Sequence, residues 1–119
     1  MKKIFNGFGK YALVTGAASG MGRIYASRLA QRGYNLVIVD INSKGLEETA
    51  QIVKAEVAAS QEIGAEYKDA FKILIIQQDL SVADAADCIF ERTQQEGCEV
   101  EVLVNNAGVM YCQGIAETS

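Results

Sequence analysis

Short apolar runs alternate with longer amphipathic segments along the 119 residues, and that alternation admits few folds. The runs are Tyr11–Thr15 (YALVT), Asn35–Asp40 (NLVIVD), Lys72–Gln77 (KILIIQ) and Val100–Asn105 (VEVLVN). NLVIVD carries no polar alternation between its ends, the mark of a strand buried on both faces. Between the first two runs, Met21 to Arg32 reads as a helix with Ile24, Leu29 and Ala30 toward a core, Arg28 and Arg32 outward, and Gly33 as its stop. A second helix from about Ser43 sets Leu46, Ala50, Val53 and Val57 on one stripe. Residues 60–72 read equally as helix continuation, a short second helix, or a loop broken at Gly64. Ser81 to Asp84 fits a capping box, opening a helix that buries Ala86, Ile89, Phe90 and Thr93 and ends at Gly97. Strands alternating with helices, joined by right-handed crossovers, give an α/β fold built on a parallel sheet. The expected architecture is a doubly wound sheet truncated to about four strands in the order 3-2-1-4. Three helices cover it, the first two on one face and the third on the other. Residues 1–119 then form a single, partial domain.

Composition removes several classes of chemistry. The chain has no His, so neither a Ser-His-Asp triad nor a His-ligated metal site can be built from it. Three cysteines, Cys88, Cys98 and Cys112, include no C-x-x-C pair and read as free thiols in a reducing compartment. Cys88 is expected to be partly buried packing. Net charge is −4 with a pI near 4.8, which argues against nucleic acid or an anionic membrane as partner. The bases are unevenly spread, because residues 1–39 hold six Lys and Arg and no acid. Met1 to Phe5 faintly resembles a signal peptide, but Asn6, Gly7, Gly9 and Lys10 interrupt any apolar core. No apolar run of membrane-spanning length follows, so the expectation is a cytoplasmic protein.

The chemistry lies in the turn after the first strand. Thr15-Gly16-Ala17-Ala18-Ser19-Gly20-Met21-Gly22 falls between strand and helix, where a dinucleotide-binding turn of Rossmann type belongs. Gly16 allows a sharp turn off the strand, Gly20 lets backbone approach a pyrophosphate, and Gly22 lets the helix lie close to the sheet. The unpaired amides of the first helical turn, with the helix dipole, then favour phosphate. Asp40 closes the second strand, where a carboxylate can accept hydrogen bonds from both hydroxyls of an adenosine ribose. It would repel a 2′-phosphate, and neither Ser19 nor Ile41-Asn42 supplies a cation to hold one. The expected cofactor is therefore NAD, with Ile41 beside its adenosine.

Four motifs in this order resemble the classical short-chain dehydrogenases/reductases: TGAASGMG, Asp40, Asp79-Leu80 after the third strand, and Asn105-Asn106-Ala107-Gly108 after the fourth. The resemblance covers about residues 8 to 110. It implies that Asp79 contacts the adenine amino group, that Leu80 lines the same pocket, and that Ser19 and Met21 touch the pyrophosphate side. It also places Asn106, Ala107 and Gly108 beside the cofactor, with Asn105 structural. The parent activity implied is interconversion of a small-molecule alcohol and a carbonyl by hydride transfer.

One departure qualifies that implication. The family's proton-transfer machinery is a Tyr and Lys four apart, preceded by a Ser, with an Asn on the helix after the fourth strand. The residues four beyond Tyr11, Tyr25, Tyr34, Tyr67 and Tyr111 are Thr15, Leu29, Ile38, Phe71 and Ile115. No catalytic residue is therefore assigned, and the 119 residues alone are expected to be inactive. Two other functions fit parts of the pattern: a noncatalytic nucleotide-binding module, and an S-adenosylmethionine-dependent methyltransferase, which also uses a Gly-rich first turn. NNAG and the three-glycine spacing disfavour the methyltransferase. An unpaired edge along VEVLVN, with an under-covered sheet face, further suggests a homo-oligomer.

Overall fold

A computed structural model describes residues 9–107. In chain order the elements are β1 (Tyr11–Thr15), α1 (Gly20–Gln31), β2 (Asn35–Asp40), α2 (Ser43–Ala59), α3 (Ala65–Ala70), β3 (Ile73–Gln77), α4 (Ala85–Gln95) and β4 (Val100–Asn105). The strands form one parallel sheet in the order β3-β2-β1-β4. β1 and β2 run in unbroken register from Tyr11 opposite Asn35 to Thr15 opposite Val39. Between β1 and β4 the register slips once, leaving Glu101 as an extra residue opposite the Tyr11–Ala12 step.

The continuous apolar runs are explained by what lies on each face. Ala12, Val14, Leu36 and Ile38 point into a core shared with α1, α2 and α3. Leu13, Val37 and Val39 point the other way, against Ala86 and Ile89 of α4. Side chains alternate between faces along a strand, so burying both faces requires apolar residues at every position. The two-against-one distribution of the principal helices matches the sequence expectation.

Several expectations need correction. There are four helices among the described residues, not three, because 65–70 forms the short helix α3. It is anchored by Ile63 and Tyr67, both in the α1/α2 core. α1 buries Gly22, Ala26 and Ala30, whereas Ile24 is 45% exposed. Gly22 fixes the rotation of the helix, and two residues on, at about 100° per residue, a side chain has swung to the far side. The expected capping box is also not formed. α4 begins after Asp84, which makes no side-chain cap, while Ser81 turns back to Asp79. Cys88 is exposed, and Phe90 is only half-buried.

Gly33 and Gly97 stop their helices as expected, both at positive φ. After α1, Gly33 N donates to Ala30 O and Tyr34 N to Leu29 O. After α4, Gly97 N donates to Gln94 O and Cys98 N to Thr93 O. These paired bonds are the Schellman closure, which satisfies the last helical carbonyls.

Candidate cofactor site

All four strands point their carboxyl ends to one side, and the loops there build the site. Gly16 leaves β1 with φ +65°, a conformation that suits glycine. A Cβ on Gly22 would stand 2.0 Å from the Gly16 carbonyl oxygen, so the turn folds tightly over the start of α1. Gly22 is thus buried beneath the loop, while Ser19, Gly20 and Met21 are exposed above it. Nothing lies within 4 Å of where a Gly20 Cβ would sit, which leaves open space at the helix start.

The loop is fastened on several sides. Ala17 N donates to Val39 O (3.2 Å) and Ala18 N to Asp40 Oδ2 (3.1 Å). The Thr49 hydroxyl donates to Ala17 O at 2.7 Å. Arg23 donates from Nε to Thr49 Oγ1 (2.8 Å) and from Nη2 to Ala18 O (2.6 Å) and Gly45 O (3.3 Å). Gly45 brings α2 against the loop, since a Cβ there would meet Ala18 Cβ at 2.7 Å. Sequence reasoning missed Arg23, Gly45 and Thr49. The available signal was Gly45, because a glycine inside a helix costs about 1 kcal/mol against alanine and so marks a close approach.

Asp40 stands between the loop and the cleft. Its Oδ1 accepts from Asn42 N at 3.1 Å, so each carboxylate oxygen already holds one backbone amide. A carboxylate offers about four acceptor sites, which leaves capacity for two hydroxyl donors. Beyond it opens a cleft of about 260 Å³ lined by Gly16, Asp40, Ile41, Gln78, Asp79, Leu80, Ser81 and Ala107. Ligand sites for drug-sized molecules run to about 300–1,000 Å³, so this space suits part of a dinucleotide. The cleft brings together Gly16, Asp40, Ile41, Asp79, Leu80 and Ala107 from the expected set and adds Gln78 and Ser81. Ser19, Gly20 and Met21 lie on the adjoining loop.

Asp79 is tied locally, its Oδ1 accepting from Ser81 N (2.9 Å) and Ser81 Oγ (2.7 Å). Those bonds hold its carboxyl below the usual aspartate range. At the end of β4, the Thr15 hydroxyl donates to Asn105 Oδ1 (3.0 Å) and accepts from Ala107 N (3.2 Å). Asn106 Nδ2 reaches Gly16 O at 3.4 Å. The end of β4 and the segment after it are therefore laced to the glycine turn, Asn105 and Ala107 through the Thr15 hydroxyl and Asn106 through Gly16 O. Gly108, Tyr111 and Cys112 lie outside the described residues. No group of three or more His, Cys, Asp or Glu side chains able to hold a metal occurs among the described residues. The Cys98 thiol is raised by burial despite a hydrogen bond with Tyr11, so it is not an activated nucleophile.

The family model for short chain dehydrogenases matches residues 10–119. The chain belongs to the short-chain dehydrogenase family. It is 34% identical over 114 residues to retinol dehydrogenase 10 of Xenopus tropicalis, covering 86% of this chain and 33% of that protein. Against the very-long-chain 3-oxoacyl-CoA reductase of Kluyveromyces lactis it is 37% identical over 107 residues, covering 90% of this chain and 28% of the reductase. The bulky-bulky ketone specific alcohol dehydrogenase from Comamonas testosteroni superposes with a TM-score of 0.63 at 31% identity, covering 84% of this chain and 36% of that one. The chain thus spans about a third of the length of these relatives. The short-chain dehydrogenases are oxidoreductases on a nucleotide-binding fold, and this stretch carries that fold's glycine turn and acidic strand end. No helix among the described residues is long and apolar enough to cross a membrane.

Proposed function

We propose that this chain is the NAD-binding part of a short-chain dehydrogenase/reductase whose parent interconverts a small-molecule alcohol and a carbonyl. The observation that carries the reading is the half-buried Asp40 carboxylate, held between the glycine turn and the cleft. The donor set fits the cofactor. The exposed start of α1 offers amides to a diphosphate, Asp40 accepts from an unphosphorylated ribose, and Asp79 with Leu80 and Ile41 borders the base. When bound, the nicotinamide ring of such a cofactor accepts or releases the hydride. The residues here bind and orient it. None of the 119 supplies a Tyr-x-x-x-Lys pair to move the proton, so these residues alone bind without turnover.

NAD is preferred to NADP because a 2′-phosphate would face the Asp40 carboxylate at close range. Calorimetry of the 119-residue chain with both dinucleotides tests this. Binding of NAD at least about tenfold tighter than NADP is expected, a difference worth about 1.4 kcal/mol. Equal affinity overturns the NAD assignment, and tighter binding of S-adenosylmethionine overturns the dehydrogenase reading. The exposed Cys88 thiol and half-buried Cys98 thiol, both free, support a reducing, cytoplasmic setting. β4 has no second neighbour among the described strands. As a 119-residue species the chain should therefore self-associate along that edge, and light scattering showing only monomer at high concentration counts against it.

A further inference from the structure

Ala17 and Ala18 sit at the centre of the glycine turn, yet their backbone polar groups are all taken by protein partners. Ala17 N and Ala18 N are held by Val39 O and Asp40, and Ala17 O and Ala18 O by Thr49 and Arg23. A trans peptide is planar and sets its C=O and N–H on opposite sides. Fixing one therefore aims the other. The Ala17–Ala18 peptide shows this directly, since the Thr49 hydroxyl pulls its carbonyl one way while its N–H meets Asp40 on the other. The next peptide obeys the same geometry. Arg23 Nη2 holds Ala18 O at 2.6 Å, which sets the Ser19 N–H on the side away from Arg23. Ser19 is exposed and is the N-cap of α1, and no backbone or side-chain acceptor takes its amide among the described residues.

We infer that Arg23 is a positioning residue for the cofactor's diphosphate, acting through the Ala18–Ser19 peptide to aim the Ser19 amide at it. The side chain does so from behind the loop, braced by Thr49 Oγ1 and Gly45 O on α2, with its Nε and Nη2 directed at protein oxygens. Its positive charge sits in the first turn of α1, against the Ala18 carbonyl, and has the same sign as the helix dipole there. Lysine is a poor substitute, because a single ammonium cannot match the planar fork that spans three acceptors, two on α2 and one on the loop. The inference rests on the NAD reading above and adds a residue to it.

The test compares native chain, Arg23→Met, Arg23→Lys and Thr49→Val, each verified as folded by circular dichroism. Each is titrated with NAD and, separately, with adenosine while amide shifts are followed by NMR. Adenosine probes the Asp40 and Asp79 end without a diphosphate. In Arg23→Met, affinity for NAD should fall about tenfold or more while adenosine affinity stays within about twofold. The NAD-induced shift of the Ser19 amide should collapse, and Arg23→Lys should recover only part of it. Without any ligand, hydrogen exchange at the Ala18 amide should quicken in Thr49→Val, which loosens the same peptide chain from its other end. A folded Arg23→Met that binds NAD like the native chain overturns the inference and leaves the NAD reading standing. Equal losses for NAD and adenosine overturn it too, because they mark general disruption. A native chain that binds no NAD overturns the underlying reading itself. Should Arg23→Met fail to fold, Thr49→Val decides by the same split between the two ligands.

Discussion

The two banks of the cofactor cleft are built on different principles. On the β1 side, the glycine turn is held from three elements: β2 through Val39 and Asp40, α1 through Arg23, and α2 through Thr49. Glycines at 22 and 45 leave no space for a Cβ. On the β3 side, Asp79 is held by its neighbour Ser81, two residues away, and both side chains are exposed. The bank proposed for the diphosphate is thus preorganised by long-range packing, whereas the bank proposed for the adenine is shaped by a local turn. Preorganisation lowers the ordering cost of binding, so the rigid bank should set affinity and the local bank should tune it.

Steric substitutions on the rigid bank should be the most damaging. Gly22→Ala forces a methyl group to within 2.0 Å of the Gly16 oxygen, and backbone must move. A loss of about 3 kcal/mol or more is expected in urea unfolding, well beyond the helix propensity gained. Gly45→Ala meets Ala18 Cβ at 2.7 Å and Ala18 O at 2.8 Å. Helix propensity returns about 1 kcal/mol there, so a net loss of about 1–2 kcal/mol is expected. Gly20→Ala is the control inside the same turn. Its Cβ enters open space, but φ is +58°, so only the conformational cost of about 1–2 kcal/mol remains. If Gly22→Ala proved as mild as Gly20→Ala, the turn would not be rigid and the contrast between the banks would fail.

On the local bank the effect is small and depends on pH. The Ser81 bonds depress the Asp79 carboxyl, with the hydroxyl bond contributing most. A group whose folded value lies below its unfolded value of about 3.9 stabilises the fold above that pH and loses this contribution as pH falls through the folded value. Ser81→Ala should therefore raise the Asp79 midpoint in an NMR titration, without reaching the unfolded value because Ser81 N still donates. An unmoved midpoint would show that the turn is not held as described. Neutral-pH stability should barely respond.

The same contrast explains what could be read from the sequence. The bounds of β1, β2 and β4 follow from runs whose apolar character is continuous, and the glycines and Asp40 follow from their places at strand ends. Local patterns fail where a distant contact decides. Ile24 looked as apolar as any core residue, but Gly22 pressed against Gly16 rotates it outward. Ser81 has the spacing of a cap, but Asp79 takes its hydroxyl. Arg23 reads as one more surface base until α2, more than 20 residues later, brings Gly45 O and Thr49 to it.

Residues 60–72 look on paper like spare length between a helix and a strand. Tyr67 lies 2% exposed, with its hydroxyl 2.8 Å from the carbonyl of Ala30 and 2.7 Å from that of Tyr34. Those carbonyls flank the lower end of α1, at the opposite pole from the cofactor cleft. The stretch is therefore a wedge driven under the first helix, and trimming it to a minimal connection would uncork the core from below.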